Sequence, residues 1–249
     1  MNLKGQTAIV TGGGAGFGLG LVRELVNHGS NVAIFDSSAE AINSLQIQFP
    51  AAKSILCDVS DDKQVDKSVT AVIEYFGSID ILVNNAGIMR SATLVNPLSR
   101  GDKRHSRDLR HQVIDVNLNS VFYLGSTVAD HMLQMRAKGV IINVSSISAA
   151  GNAGQSAYSA SKAAVEALTA VWAKELAPFG IRSVAVAPGF TNTKGANEAL
   201  EKEYLEDWIS RTPLRRSGEI HEVVDAILFC IKSDFFNGRV LSLDGGLVI

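Results

Sequence analysis

The chain has 249 residues, of which 46% are hydrophobic and 19% charged, and this balance excludes a disordered or fibrous protein. Its 23 basic and 25 acidic residues give a net charge of -2, which argues against nucleic acid or an anionic membrane as a partner. Small molecules and further copies of the chain are the expected partners. Cys57 and Cys230 lack metal-ligand spacing, so we expect buried thiols, no metal and a cytoplasmic protein.

Taken in chain order, short β-branched runs alternate with longer amphipathic segments. The pattern predicts strands at residues 7–11, 31–35, 55–57, 79–83, 140–144, 183–186 and 239–243. It predicts helices at residues 19–27, 39–48, 61–76, about 113–136, 158–177 and 219–232. Because the strands are apolar throughout rather than alternating, we expect an α/β fold with a doubly wound parallel seven-stranded sheet and helices on both faces. No linker or repeat divides the chain, which predicts one domain over residues 1–249.

A glycine-rich turn, TGGGAGFG at residues 11–18, joins the first predicted strand to the first helix. Glycine permits positive φ and close approach of a ligand, and a helix N-terminus attracts a pyrophosphate. Gly12, Gly16 and Gly18 follow the spacing GxxxGxG, which differs from GxGxxG, and no GK[ST] of a P-loop follows. The alternative is a tight turn with only a structural role.

Asp36 ends the second predicted strand, eighteen residues after Gly18, where a carboxylate can accept hydrogen bonds from a ribose diol. A 2′-phosphate would be repelled there, and no basic residue occupies Gly13, Gly14, Ser37 or Ser38. The pattern therefore favours NAD over NADP. The alternative is a polar residue that begins an Asp-Ser-Ser turn.

Tyr158 and Lys162 lie four residues apart at the start of a predicted helix and therefore share one face. An ammonium near a phenol is expected to lower the pKa of the tyrosine, which could then act as a general acid or base. Taken alone, such a pair more often reflects surface packing.

Together these motifs resemble the short-chain dehydrogenase/reductase family, with likeness to its 3-oxoacyl reductases, from Gly5 to Val248. The motifs that carry the resemblance are TGxxxGxG at 11–18, Asp58-Val59, Asn84-Asn85-Ala86-Gly87, Asn117, Asn143-Val144-Ser145-Ser146, Tyr158 with Lys162, and Pro188-Gly189.

The resemblance implies a Rossmann-like fold and hydride transfer between a nicotinamide and an alcohol or carbonyl carbon. It implies proton transfer by Tyr158, a ribose contact and pKa effect from Lys162, and a water relay anchored by Asn117. The implied cofactor-binding residues are Gly12, Gly16, Phe17, Gly18, Asp36, Asp58, Val59, Asn85, Ala86, Gly87, Tyr158, Lys162, Pro188, Gly189, Thr191 and Thr193.

The family's substrate-binding serine could be either of two adjacent residues. Counted from the strand residue Asn143 the position is Ser146, whereas the usual spacing back from Tyr158 gives Ser145. We favour Ser146, because a strand end fixes a side chain while loops absorb deletions.

The sequence leaves the roles of two segments open. Residues 96–111 carry five basic and two acidic residues, which fits either a solvated face or an anion-attracting rim over residues 100–111. Residues 190–216 resemble the family's variable substrate lid, and apolar helices near 113–135 and 158–176 resemble its subunit interfaces, which predicts a homotetramer or homodimer.

The preferred function is an NAD-dependent oxidoreductase acting on a secondary alcohol or ketone. The alternatives are an NADPH-dependent 3-oxoacyl thioester or carbonyl reductase and, less favoured because the catalytic set is intact, a non-catalytic NAD-binding scaffold.

Overall fold

A computed structural model describes residues 1–193 and 202–249. One seven-stranded sheet has the order β3-β2-β1-β4-β5-β6-β7, and every pairing is parallel. The strands are β1 (Thr7–Thr11), β2 (Asn31–Asp36), β3 (Lys53–Leu56), β4 (Ile81–Asn84), β5 (Gly139–Val144), β6 (Ile181–Pro188) and β7 (Val240–Leu243). The predicted Rossmann-like fold is confirmed.

Helices connect the strands and cover both faces of the sheet. They are α1 (Gly16–Asn27), α2 (Ala39–Gln48), α3 (Asp62–Phe76), α4 (Arg107–Ile114), α5 (Ser120–Gln134), α6 (Ser156–Leu176), α7 (Lys202–Arg211) and α8 (Ile220–Lys232). Short 3₁₀ turns occur at Ile147–Ala150 and Ala177–Phe179, and a π-turn at Asp115–Asn119.

The prediction of a single helix near residues 113–136 is wrong in detail. The structure has α4, the π-turn and α5 in succession, and α4 begins after Ser106, whose hydroxyl accepts a hydrogen bond from Leu109 N at 3.2 Å. Because a serine cap and a polar first turn give no apolar periodicity, the hydrophobic pattern does not indicate that α4 begins at this point.

Alternate residues of each strand belong to different hydrophobic clusters. In β1, Ala8 and Val10 pack in the cluster with α1 and α8, while Ile9 packs in the cluster with α3, α5 and α6. All three side chains have 0% exposure. The continuous apolar strands therefore reflect burial on both faces, as the sequence predicts.

The strand order reverses between β1 and β4, whose carboxyl ends lie side by side at the centre of the sheet. Asn85 Nδ2 donates to the carbonyls of Thr11 at 2.8 Å and Gly12 at 3.1 Å. Thr11 Oγ1 in turn accepts from the backbone N–H groups of Asn85 and Ala86, each at 3.0 Å. Ligands bind at such a switch point. These hydrogen bonds therefore join the glycine-rich turn to the Asn84–Gly87 motif at the edge of the sheet where a ligand is expected.

None of the described helices is long and apolar enough to cross a bilayer. Cys57 and Cys230 are both buried and unpaired. Across residues 1–193 and 202–249, no group of three His, Cys, Asp or Glu side chains could hold a metal ion.

Candidate active site

The glycine turn forms a cradle at the N-terminus of α1. Gly12 and Gly16 have φ of +60° and +52°, in the left-handed region that favours glycine. A Cβ atom on Gly18 would lie 2.2 Å from the Gly12 carbonyl oxygen, so only glycine fits there. A bare backbone at a helix N-terminus suits the pyrophosphate of a dinucleotide, and these residues fit that group.

Asp36 lies beside this cradle at the end of β2. Its Oδ2 accepts a hydrogen bond from Gly14 N at 2.9 Å, and its Oδ1 accepts one from Ser38 N at 2.9 Å. The two backbone donors hold the carboxylate at the edge of a second cleft, which Gly14 and Ser38 line together with residues of α2. A carboxylate held in this way is well placed to accept hydrogen bonds from ribose hydroxyls.

A cavity of about 390 Å³ opens at the carboxyl ends of β4, β5 and β6. It brings together ten of the predicted site residues: Phe17, Asn85, Gly87, Ser146, Tyr158, Lys162, Pro188, Gly189, Thr191 and Thr193. These residues are scattered along the sequence, so their convergence is a result of the parallel topology.

The other predicted residues lie outside this cavity. Gly12, Gly16, Gly18 and Asp36 form the cradle and its flank, Ala86 fastens the cradle to β4, and Asn117 lies behind the cavity wall.

Asp58 and Val59, which the resemblance places among the cofactor-binding residues, follow β3. Asp58 is exposed, and its Oδ1 accepts hydrogen bonds from Ser60 N at 3.0 Å and Ser60 Oγ at 2.7 Å. Val59 is 6% exposed, with its side chain in the hydrophobic core, so any contact it makes with a ligand is through its backbone.

The two adjacent serines at the end of β5 have different partners. Ser146 hydrogen-bonds Tyr158 and also accepts a hydrogen bond from Ser148 N at 3.1 Å. Ser145 Oγ instead contacts the Glu166 carboxylate at 2.8 Å and the Lys162 carbonyl at 3.3 Å. The hydroxyl that accompanies the tyrosine is therefore that of Ser146.

Lys162 is buried at 5% exposure, and its Nζ donates to the Val144 carbonyl at 2.7 Å. Burial lowers the pKa of this ammonium to about 8. The Nζ atom is 5.8 Å from the centre of the Tyr158 ring.

The sequence argument expects Lys162 to lower the pKa of Tyr158, but the structure differs. Burial raises the tyrosine pKa, and the hydrogen bond with Ser146 only opposes that rise. The Lys162 ammonium, which is directed at the Val144 carbonyl, is not among the groups that lower the tyrosine pKa.

Asn117 lies in the π-turn between α4 and α5 and is fully buried. Its Oδ1 accepts from Ile88 N at 2.8 Å and its Nδ2 donates to Ile88 O at 2.9 Å, which ties the turn to the segment after β4. A Cβ on Gly87 would lie 3.3 Å from Asn117 Oδ1 and 3.6 Å from Lys162 Nζ. Glycine there lets the asparagine and the lysine approach the same backbone.

Sequence reasoning missed several residues of the cavity wall: Ile88, Met89, Arg90, Val144, Ile147, Ser148, Gln155 and, as a specific contact, Phe190. Each lies within three residues of a motif residue at a strand end or at the start of α6, and that proximity was the available signal.

The predicted lid, residues 190–216, is partly described, and residues 194–201 lie outside the described residues. Phe190, in the cavity wall, stacks on Trp208 of α7 with ring centres 4.8 Å apart. This stack links α7 to the cavity.

The basic segment does not reach the cavity wall through Arg104. Arg104 Nη2 pairs with Asp102 Oδ2 at 2.7 Å, and both side chains are exposed. No residue of 100–111 is among the described residues that line the cavity.

Comparison with known proteins shows to which family the chain belongs. The family model for short chain dehydrogenases matches residues 6–204. The chain is 39% identical to 3-oxoacyl-[acyl-carrier-protein] reductase FabG of Thermotoga maritima, with 100% of both chains covered. It is 36% identical to gluconate 5-dehydrogenase of Gluconobacter oxydans, covering 100% of this chain and 96% of the relative.

A third relative is sorbitol-6-phosphate 2-dehydrogenase of Klebsiella pneumoniae, 32% identical with 99% and 97% coverage. The resemblance read from the motifs is thereby confirmed. The chain belongs to the short-chain dehydrogenase family and is an oxidoreductase that acts on alcohol or ketone groups.

Proposed function

We propose that the protein is an NAD-dependent oxidoreductase that interconverts a secondary alcohol and its ketone, working as one dinucleotide-binding and catalytic domain. The observation that carries the proposal is the convergence of Tyr158, Ser146 and Lys162 on one cavity whose wall continues from the cradle through Phe17. When bound, the nicotinamide would supply the site that accepts or donates hydride.

Tyr158 is the general acid and base of this proposal. In alcohol oxidation it takes the hydroxyl proton, and in ketone reduction it returns a proton to the oxygen. Ser146, its hydrogen-bond partner, donates to the substrate oxygen as charge develops there. Lys162, buried close to the Tyr158 ring, would hold the nicotinamide ribose, and Asn117 holds the backbone beside it.

Asp36 supports NAD rather than NADP. Its carboxylate is fixed by Gly14 N and Ser38 N beside the cradle, where a 2′-phosphate would meet a like charge. Neither Gly13 nor Ser37 supplies a cation to offset that repulsion.

The test is nicotinamide absorbance with a panel of secondary alcohols and ketones, comparing NAD and NADP. We expect turnover with NAD, its loss in Tyr158→Phe, and a gain of NADP use in Asp36→Ala. A preference of the unmodified protein for NADP would refute the cofactor assignment. NAD binding without turnover on any panel member would favour a scaffold.

A second candidate is an NADPH-dependent reductase of 3-oxoacyl thioesters or other carbonyl compounds. It is supported by the names of several relatives, including the one from Thermotoga maritima and one from Chlamydia muridarum at 35% identity. Reduction of a 3-oxobutyryl thioester with NADPH, faster than with NADH, would establish it.

We further propose a homotetramer or homodimer built on α5 and α6. Phe122 of α5 is 52% exposed and Val171 of α6 is 45% exposed, so both helices present apolar side chains to solvent. Burying such residues against a second copy is a common way to remove them from water.

A further inference from the structure

The charged side chains that the described residues contribute to the active-site cavity are all of one sign. Among the described residues that line it, Arg90 and Lys162 are cationic and none is a carboxylate. Lys162 donates to the Val144 carbonyl at 2.7 Å and is buried beside the catalytic tyrosine. Of the described residues in the cavity wall, Arg90 is therefore the cation with capacity left for a ligand.

Most of the hydrogen-bonding capacity of Arg90 is unused by the described residues. Its Nη1 donates to the carbonyl of the preceding residue, Met89, at 3.2 Å, and none of the ion pairs among described residues includes Arg90. A guanidinium has five N–H donors in a planar fork that matches carboxylate and phosphate oxygens. The side chain is exposed at the cavity, so an anion can reach it.

Arg90 belongs to the substrate side of the cavity rather than to the cradle. Two residues after it, Ala92 N donates to Gly154 O at 2.7 Å, and Ala92 forms a bridge with Gln155. This fastens the segment to the chain that leads into α6 and Tyr158. The expected pyrophosphate site lies at the start of α1, where backbone N–H groups and not Arg90 are offered.

Gln155 gives an independent indication of a polar ligand. It lines the same cavity at 6% exposure, and its Oε1 has no hydrogen-bond partner among the described residues. Its Nε2 is directed at Met89 Sδ at 3.6 Å, and a thioether is a weak acceptor. A buried acceptor left unpaired is unfavourable, and rotation of the Gln155 amide towards the cavity would let a substrate hydroxyl satisfy it.

We infer that Arg90 selects a substrate that carries a carboxylate or phosphate besides the reacting alcohol or ketone, and that Gln155 accepts a hydrogen bond from a further hydroxyl of that substrate. The substrate class is a small polyhydroxy anion. The inference rests on the proposed function, because it names the substrate of the same site.

The test compares matched anionic and neutral compounds with the NAD-loaded enzyme: gluconate against gluconamide, and glycerol 3-phosphate against glycerol. Loss of a charge-assisted hydrogen bond corresponds to about a 10- to 100-fold change, so we expect KM for the preferred anion to lie below that of its neutral partner by this factor. Arg90→Gln should remove the difference. Arg104→Gln, which removes an exposed arginine outside the cavity wall, should preserve it.

The two compound pairs also distinguish a carboxylate from a phosphate. If Arg90→Gln removes the preference for gluconate over gluconamide, the recognised group is a carboxylate. If it removes the preference for glycerol 3-phosphate over glycerol, the group is a phosphate. Gln155→Met should raise KM for gluconate several-fold and leave KM unchanged for an anion without additional hydroxyls, such as 3-hydroxybutyrate. An equal effect on both substrates would overturn the role of Gln155.

Calorimetric binding to the NAD complex of Tyr158→Phe separates failure of this inference from failure of the proposed function. Turnover with no preference for either anion, or a preference that survives Arg90→Gln, overturns the inference alone. Arg90-dependent anion binding without any turnover in the unmodified enzyme overturns the proposed function alone. Neither turnover nor selective binding overturns both.

Discussion

At the scale of single residues, the side chain of Lys162 is buried, and burial disfavours its charged ammonium form. Its pKa falls from 10.5 to about 8 because burial removes water from the ammonium. In the unfolded chain the lysine returns to its ordinary value. Between these two pH values the unfolded state binds more protons, so the free energy of unfolding of the unmodified protein rises with pH.

We therefore expect Lys162→Met to be more stable than the unmodified protein at pH 7, by on the order of 3 kcal/mol at most, and inactive. The stability difference should shrink between pH 8 and pH 10.5, as the lysine loses its proton in both states. Urea unfolding at pH 7 and pH 10 measures it. An advantage that grows with pH would contradict burial as the cause.

Ser145 and Ser146 provide a second residue-scale prediction. Ser146 contacts Tyr158, whereas Ser145 contacts Glu166 and the Lys162 carbonyl, so the two hydroxyls serve different groups. Removing a donor to a developing oxyanion typically costs a factor of about 100 to 1,000 in kcat. We expect that loss in Ser146→Ala, measured as steady-state turnover.

Ser145→Ala is the matched control. It removes the same atoms from the adjacent position, and we expect kcat to remain within about threefold, since the hydrogen bond that is lost leads to Glu166 and not to Tyr158. A larger loss in Ser145→Ala than in Ser146→Ala would reverse the assignment.

At the scale of elements, the junction of β1 and α1 depends on a missing side chain. A Cβ on Gly18 would lie 2.2 Å from Gly12 O and 2.7 Å from Asn85 Nδ2, and the backbone oxygen cannot move aside cheaply. We expect Gly18→Ala to lower the free energy of unfolding by about 1 to 3 kcal/mol and to weaken NAD binding. Thermal unfolding and calorimetry measure the two effects.

Gly101→Ala is the control for that substitution. No atom of the described residues lies within 4 Å of a Cβ there, and its φ is not in the left-handed region. Its stability should change by less than about 0.5 kcal/mol. Equal losses in both variants would contradict the role of the close contact.

The element bounds also show where sequence reasoning succeeds. Residues 7–11 and 39–48 were predicted with the bounds that the structure gives β1 and α2, because apolar runs and a serine cap mark their ends. The π-turn at Asp115–Asn119 has no such mark: one extra residue in a helical turn leaves the apolar pattern almost unchanged.

The residues of the candidate site likewise divide into those that the sequence predicts and those that it does not. Tyr158, Lys162 and the glycines could be predicted because their chemistry constrains residue type and spacing. Arg90 and Gln155 could not, because their importance comes from which loops meet across the cavity, and neither residue type is unusual in a loop. The direction of Lys162 towards Val144 O likewise depends on packing that no local pattern encodes.

At the scale of the whole molecule, the proposed assembly depends on the outer faces of α5 and α6. Val171 is 45% exposed, and its neighbour Trp172 contacts Phe122 with ring centres 6.4 Å apart. A charge placed in a buried subunit interface lacks a partner and is strongly unfavourable. We expect Val171→Asp to shift the protein towards monomers in sedimentation velocity.

Ile47→Asp is the comparison for that prediction. Ile47 of α2 is 83% exposed and lies on neither of the proposed interface helices. Its substitution should leave the sedimentation coefficient unchanged. A monomeric unmodified protein, or equal dissociation of both variants, would count against the proposed interface.

The residues of the cavity wall come from two different parts of the fold. Ser146 follows β5, and Tyr158 and Lys162 belong to α6. Met89, Arg90 and Phe190 instead belong to the segments that follow β4 and β6. Changes in those two connecting segments can alter which molecule is accepted while the proton-handling groups stay in place. A lineage with this architecture can acquire new substrates by inheriting one reaction and varying only its connecting segments.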